Sequence, residues 1–295
     1  MKILVFDVGG TSIKYGICVD GSLTEVHEVP TEAKKGGRHI VDTLVSLIRP
    51  QSGYDAIGIS TAGQVNAQEG YIIYANENIP GYTGTRIKAE LEELFGVPVV
   101  VENDVNSAAM GEAIYGAGKE HADFLCLTYG TGVGGAIVRD RQVYHGSSFS
   151  AAEFGAIVTH ASERVAGTDY FDGCYERYAS TTALVKKAAA YKSGLDSGRK
   201  IFENLDDPRV MELLDEWVDE ILLGLSTLTH IFNPSCIILG GGIMVQPLIL
   251  DKIRQKKGRF IMPSFSHVQI QPAALGKTAG LLGVYHLASQ CVESK

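Results

Sequence analysis

Cysteine is sparse in this sequence and never clustered. Five stand in 295 residues, at Cys18, Cys126, Cys174, Cys236 and Cys291, and no two make a C-x-x-C pair. Scattered cysteines of odd number exclude a disulfide framework and point to reduced thiols in a cytoplasmic protein. Basic residues are also in the minority, with Lys plus Arg at 26 against Asp plus Glu at 34 and a formal net charge of −8. An acidic chain with no Lys/Arg-rich block argues against nucleic acid or an anionic membrane surface as partner. No apolar run approaches the ~18 residues of a membrane span. The longest candidate, ILLGLSTLTHIF at 221–232, is broken by polar residues and reads as a buried helix. The opening MKILVFDVGG is too short in apolar length for a signal peptide, and Asp7 interrupts it. No Pro/Ser-rich linker and no low-complexity segment divides the chain.

What is there reads as an ordinary globular protein, 45% hydrophobic and 20% charged. At roughly 150 residues per domain, the length allows one large domain or two modest ones. KILVFDV is a β-rich run that ends in Gly9-Gly10. After the glycines, Ile13, Tyr15 and Ile17 alternate with Lys14 and Gly16, a period of two rather than 3.6. The glycine loop therefore joins two strands as a hairpin. Dinucleotide folds and Walker-type phosphate loops are excluded, because both need a helix there. The design returns in FLCLTYGTGVGGAIV at 124–138, which suggests two related halves. Between the hairpins lie a strand in YDAIGIS, an amphipathic helix ending at Gly96, a strand in VPVVVEN and a helix in SAAMGEAIYG. The second half carries Val210, Leu213, Leu214, Trp217, Ile221, Leu225 and Leu228 at helical spacing, stopped by Asn233-Pro234. A strand, CIILGGG, and a closing helix, TAGLLGVYHLAS, follow. The alternation is that of an α/β fold. With no linker between them, the halves are expected to pack on each other around a ligand cleft.

Three glycine loops sit at strand ends: Gly9 and Gly10, then Gly130, Gly132, Gly134 and Gly135, then Gly240, Gly241 and Gly242. Such turns expose consecutive backbone N–H groups that cradle an anion, although each alone is equally a tight turn. Thr11 and Thr131 add hydroxyl donors, and Lys14 adds a cation. Asp7 would repel a phosphate unless a metal ion stands between them, as Mg²⁺ does. Asp104 falls at a strand end just before a helix. It is either a helix cap, a role Asn103 or Asn106 could fill, or the carboxylate that accepts a proton from an attacking hydroxyl.

In order and spacing, DVGGTSIK, ENDVNSAAMGEAIYGAG, LTYGTGVGG and AEFG make the chain resemble the ROK family of sugar kinases and sugar-responsive repressors. The likeness runs through essentially the whole chain. It implies the two-domain, actin-like (ribonuclease H-like) ATPase fold with an interdomain cleft, ATP with Mg²⁺ as cofactors, and transfer of the γ-phosphoryl group to a sugar hydroxyl, usually O6. The implied lobes are residues 1–117 plus 281–295, and 118–280. Asp7, Gly9, Gly10, Thr11 and Lys14 match the first phosphate loop; Gly130, Thr131, Gly132, Gly134 and Gly135 match the second; Gly240, Gly241 and Gly242 match the nucleotide-side turn. Asp104 matches the catalytic base, and Gly63, Asn103, Asp104, Glu153 and Glu176 match sugar-binding positions. Partners are then a sugar and ATP, with a homodimer common in the family.

Two departures matter. Many members hold zinc between the two glutamates with one His and three Cys. Here Ala156 stands at the His position and only Cys174 remains of the cysteines, so no zinc is expected. The missing His also touches the sugar near its reducing end, and a small Ala156 leaves room there for a β-glucoside or substituted sugar, with a plain hexose such as glucose or an amino sugar such as N-acetylmannosamine as the alternatives. The family's repressors carry a DNA-reading domain before the first hairpin, and none is expected here. The alternative to a kinase is a non-catalytic sugar sensor.

Overall fold

The computed structural model describes every residue except Ala166 and Lys295. Contacts divide the chain into two compact units. Unit 1 comprises 1–122, 138–151 and 275–295, and unit 2 comprises 123–137 and 152–274. The segment 138–151 thus packs with the first unit although it lies inside the second in sequence.

Unit 1 opens with strands β1 (Lys2–Val8), β2 (Ser12–Val19) and β3 (Ser22–Pro30), then helix α1 (Gly37–Ile48). Strand β4 (Ala56–Thr61), the short pair β5 (Gln64–Asn66) and β6 (Tyr71–Tyr74), helix α2 (Ile87–Phe95), strand β7 (Val99–Asn103) and helix α3 (Asp104–Tyr115) follow. The sheet order is β3-β2-β1-β4-β7. The hairpin inferred from period two is present: β1 and β2 run antiparallel, with Val8 opposite Ile13. Strand β4 pairs parallel with β1 and with β7. Alternate residues of β1 serve two cores. Leu4 and Phe6 pack with α1 and α2, whereas Ile3 and Val5 pack under the C-terminal helix. Helix α2 ends where Gly96 takes φ 66°, the left-handed turn glycine tolerates best.

Strands β8 (Phe124–Tyr129) and β9 (Val133–Arg139) begin the second sheet. The end of β9 runs on into unit 1, where Val138 and Arg139 pair with β10 (Gln142–Val143). Unit 2 then holds helices α4 (Glu176–Ala179), α5 (Thr181–Tyr191), α6 (Gly198–Phe202) and α7 (Pro208–Phe232), strand β11 (Cys236–Gly240), helix α8 (Pro247–Lys256) and strand β12 (Gln269–Pro272). The order β10-β9-β8-β11-β12 repeats the first sheet's plan. Helix α7 starts at an Asp207 cap with Pro208 in its first turn, and stops at Asn233 with φ 44°. Its spaced apolar residues are all buried around Trp217. The buried helix expected at 221–232 is present on one face, with Ile221, Leu222, Leu225 and Leu228 buried; Leu223, Ile231 and Phe232 are 37%, 66% and 41% exposed, because the other face turns away from the core.

Helix α9 (Ala279–Glu293) closes unit 1 and lies on α3 at backbone distance. A Cβ on Gly283 would stand 1.7 Å from the Ser107 carbonyl oxygen, and one on Gly111 2.2 Å from that of Ala279. Those glycines set how closely α3, which begins with Asp104, lies against α9.

Candidate active site

The strand order of unit 1 gathers the ends of β1, β4 and β7 side by side. Asp7, Ser60 and Asn103 all lie at those ends. The β1–β2 loop is closed by Gly9 N–H donating to the Ser12 carbonyl at 3.0 Å. Thr31 fastens it from behind: its N–H donates to the Thr11 carbonyl at 3.0 Å, and its hydroxyl to the Gly9 carbonyl at 2.6 Å. Gly10 and Thr11 are left exposed at the tip. Asp7 faces Lys14 in the hairpin register, with Lys14 Nζ 3.5 Å from Asp7 Oδ2. Ser60 donates its hydroxyl to Asp7 Oδ1 at 2.8 Å.

Asn103, not Asp104, is the cap of α3. Its Oδ1 accepts from the N–H groups of Val105 and Asn106 at 2.9 and 3.1 Å. Its Nδ2 donates to the Gly63 carbonyl and to Asp104 Oδ1, each at 2.9 Å. Gly63 holds φ +99°, and a Cβ there would press on the Tyr74 carbonyl at 3.0 Å. Asp104 is thus aimed by its neighbour, with Val105 N–H giving Oδ1 a second bond at 2.9 Å. Burial, and then the negative charge of Asp7, push the Asp104 carboxyl up to about 6. A carboxyl so tuned can take a proton near neutral pH.

Unit 2 holds the other set. The β8–β9 turn closes with Gly130 N–H donating to the Gly132 carbonyl at 3.0 Å, and Thr131 is exposed at its tip. Gly134 and Gly135 continue into β9, and a Cβ on Gly135 would lie 2.3 Å from the Phe154 ring. Glu176 braces the turn: its Oε2 accepts from Val133 N–H at 3.0 Å, and a Cβ on Gly132 would stand 2.1 Å from that oxygen. Glu153 is exposed one residue before buried Phe154. Gly240 ends β11, and Gly241 takes φ +115°, where a Cβ would stand 2.2 Å from the Tyr129 carbonyl oxygen. Gly242 opens onto a cavity of about 790 Å³ whose walls include Gly130, Thr131, Phe202 and Ile243. That volume is of the size that takes a small-molecule ligand.

The cysteine and histidine near the two glutamates are otherwise engaged. The Cys174 sulfur lies 3.2 Å from the Ala156 carbonyl and accepts from the Arg164 guanidinium at 3.2 Å. His160 stacks on Tyr178 with centroids 3.7 Å apart. Among the described residues no three His, Cys, Asp or Glu side chains group as metal ligands, and a guanidinium on the thiol does not fit a zinc site. No helix among the described residues is long and apolar enough to cross a membrane.

Sequence reading missed Thr31 and Ser60. Neither carries a motif, and each acts through hydrogen bonds made by chain topology, two from Thr31 and one from Ser60. The walls contributed by α6 were missed for the same reason.

A family model described as the ROK family matches residues 3–291. An uncharacterized protein of Clostridium perfringens is 39% identical over 298 residues, covering 96% of each chain. The beta-glucoside kinase of Klebsiella pneumoniae is 34% identical over 293 residues, covering 97% of this chain and 96% of its own. A ROK family glucokinase from Streptomyces griseus, solved in complex with glucose and AMPPNP, superposes with a TM-score of 0.85 at 32% identity, covering 98% of this chain and 100% of its own.

Proposed function

The chain belongs to the ROK family, and from that premise we propose that it is an ATP-dependent sugar kinase in which Asp104 is the general base. It has the two-domain actin-like ATPase fold of its structural relatives. The observation that carries the assignment of the base is the Asp104 carboxyl, aimed by Asn103 and pushed up to about 6. The acceptor is a hexose or its β-glucoside, phosphorylated at O6. Gly63, Asn103, Glu153 and Glu176 bind the sugar hydroxyls. Carboxylates and amides suit paired hydroxyls, since both can accept from them. Ala156, small and exposed, leaves room for a substituent on the sugar.

Gly9, Gly10, Thr11 and Lys14, with Gly130, Thr131, Gly132, Gly134 and Gly135, bind the phosphates through backbone N–H groups, hydroxyls and one ammonium. The adenosine end occupies the cavity beside Gly240, Gly241 and Gly242. Asp7 suits Mg²⁺. It is a hard oxygen donor, and its Oδ2 makes a long 3.5 Å contact to Lys14. When bound, Mg²⁺ offsets the charge on the phosphates. As the bond between the γ-phosphorus and its bridging oxygen breaks and the bond to the sugar oxygen forms, Asp104 accepts the hydroxyl proton. The products are a sugar phosphate and ADP. The protein acts in the cytoplasm on small molecules, with no nucleic acid or membrane partner.

The test is transfer of label from γ-labelled ATP, with Mg²⁺, to a panel of glucose, N-acetylmannosamine, N-acetylglucosamine, mannose, fructose and cellobiose. We expect label on glucose or cellobiose. Sugar binding with no label on any acceptor would identify a sensor instead.

A further inference from the structure

We propose that Glu102 and His145 are a positioning pair that locks the loop 144–151 to the turn bearing Asn103 and Asp104, so that one brace sets both the sugar pocket and the base. The proposal rests on the kinase reading above. Glu102 is the residue before the α3 cap on β7, and its side chain is only 3% exposed. A buried carboxylate is tolerated only when paired and hydrogen-bonded. Glu102 is both. Its Oε1 accepts from the Asn103 N–H at 2.8 Å and from Asn106 Nδ2 at 3.0 Å, and its Oε2 lies 2.7 Å from His145 Nε2.

These bonds make a continuous line within unit 1. His145 holds Glu102, Glu102 holds the backbone of Asn103, and the Asn103 amide holds Asp104 Oδ1. The loop has a second anchor, on β5. Ser150 donates to Gln64 Oε1 at 3.0 Å, next to the Gly63 carbonyl that receives the Asn103 amide. Between the anchors the loop is tightly folded, with Gly146 at φ +72°, Phe149 at φ +60° and the His145 and Phe149 rings 5.7 Å apart. From its end the chain runs through Ala152 directly into Glu153. The hydrogen bond to Glu102 also raises the His145 imidazole above its ordinary range, which favours the ion pair.

A pair that merely stabilises the fold would lower the melting temperature and leave the kinetics alone. A positioning pair moves the kinetics of one substrate. His145→Ala should lower kcat about 10- to 100-fold and raise the sugar KM, with the ATP KM unchanged, since small misplacements of a reacting group cost rates of that order. His145→Gln keeps an N–H donor towards Glu102 and should recover most of both losses. The full-length protein is used throughout, with the wild type assayed beside the variants. If the wild type turns over a sugar but both variants match it in kcat and sugar KM, or if sugar and ATP KM rise together, the positioning pair is overturned alone. If the wild type transfers phosphate to no sugar, the kinase reading falls and takes the pair with it.

Discussion

Asp104→Asn is expected to cut sugar-dependent turnover by about 10²- to 10⁴-fold while sugar KM moves little, the signature of a lost general base. Asparagine is nearly the same shape, and its carbonyl oxygen can keep the bonds that Oδ1 now accepts from the Asn103 amide and the Val105 N–H. What it cannot do is take a proton. The variant should be no less stable than the wild type. Because the folded pKa is raised, to about 6, ionisation of Asp104 opposes folding, and that cost is fully present only above this pH. An uncharged side chain removes it. At pH 8 the variant should therefore melt at the same temperature or higher. Near-normal turnover would overturn the assignment of the base, and a lower melting temperature would overturn the account of its environment.

Gly283→Ala should be damaging although it adds one methyl group. The new Cβ would meet the Ser107 carbonyl oxygen at 1.7 Å and the Gly111 nitrogen at 3.0 Å, both of them backbone atoms that cannot rotate aside. Helices α3 and α9 must separate. Overpacking of this kind costs about 1–3 kcal/mol, and more when backbone has to move, so the melting temperature should drop by about 5 °C or more. Activity should fall further than stability explains, since α3 begins with Asp104. Gly258→Ala is the control: no atom lies within 4 Å of its added Cβ. Equal melting temperatures for the two variants would contradict the close approach of α3 and α9.

Much of this was legible in the sequence where local periodicity and chain stops coincide. Ile13, Tyr15 and Ile17 disclosed the first hairpin, and the glycine-rich repeat at 130–135 disclosed the second. The crowding of Asn103, Asp104 and Asn106 announced a helix start, though not which residue caps it. Asn103 does so, and that leaves Asp104 to be aimed by it. What stayed hidden depends on pairings remote in sequence. Strand β3 shows little apolar alternation, because it is an edge strand exposed along most of its length. Thr31 meets the Gly9–Thr11 loop only because β3 returns beside β2. His145 meets Glu102 across 43 residues because the β9–β10 hairpin carries it back into unit 1. The exposed face of α7 at Ile231 and Phe232 could not be told from a buried one, since apolar residues there interrupt the stripe.

The most direct test of the account is the pH dependence of kcat/KM for the accepted sugar, with Mg²⁺ in excess so that ATP stays in its metal complex. A base must be ionised to work, so a raised pKa moves the acid limb upward. The account predicts activity that holds above pH 6 and falls as pH drops through an apparent pKa of about 6. A rate that stays flat until it reaches the ordinary aspartate range, near 4, would contradict it.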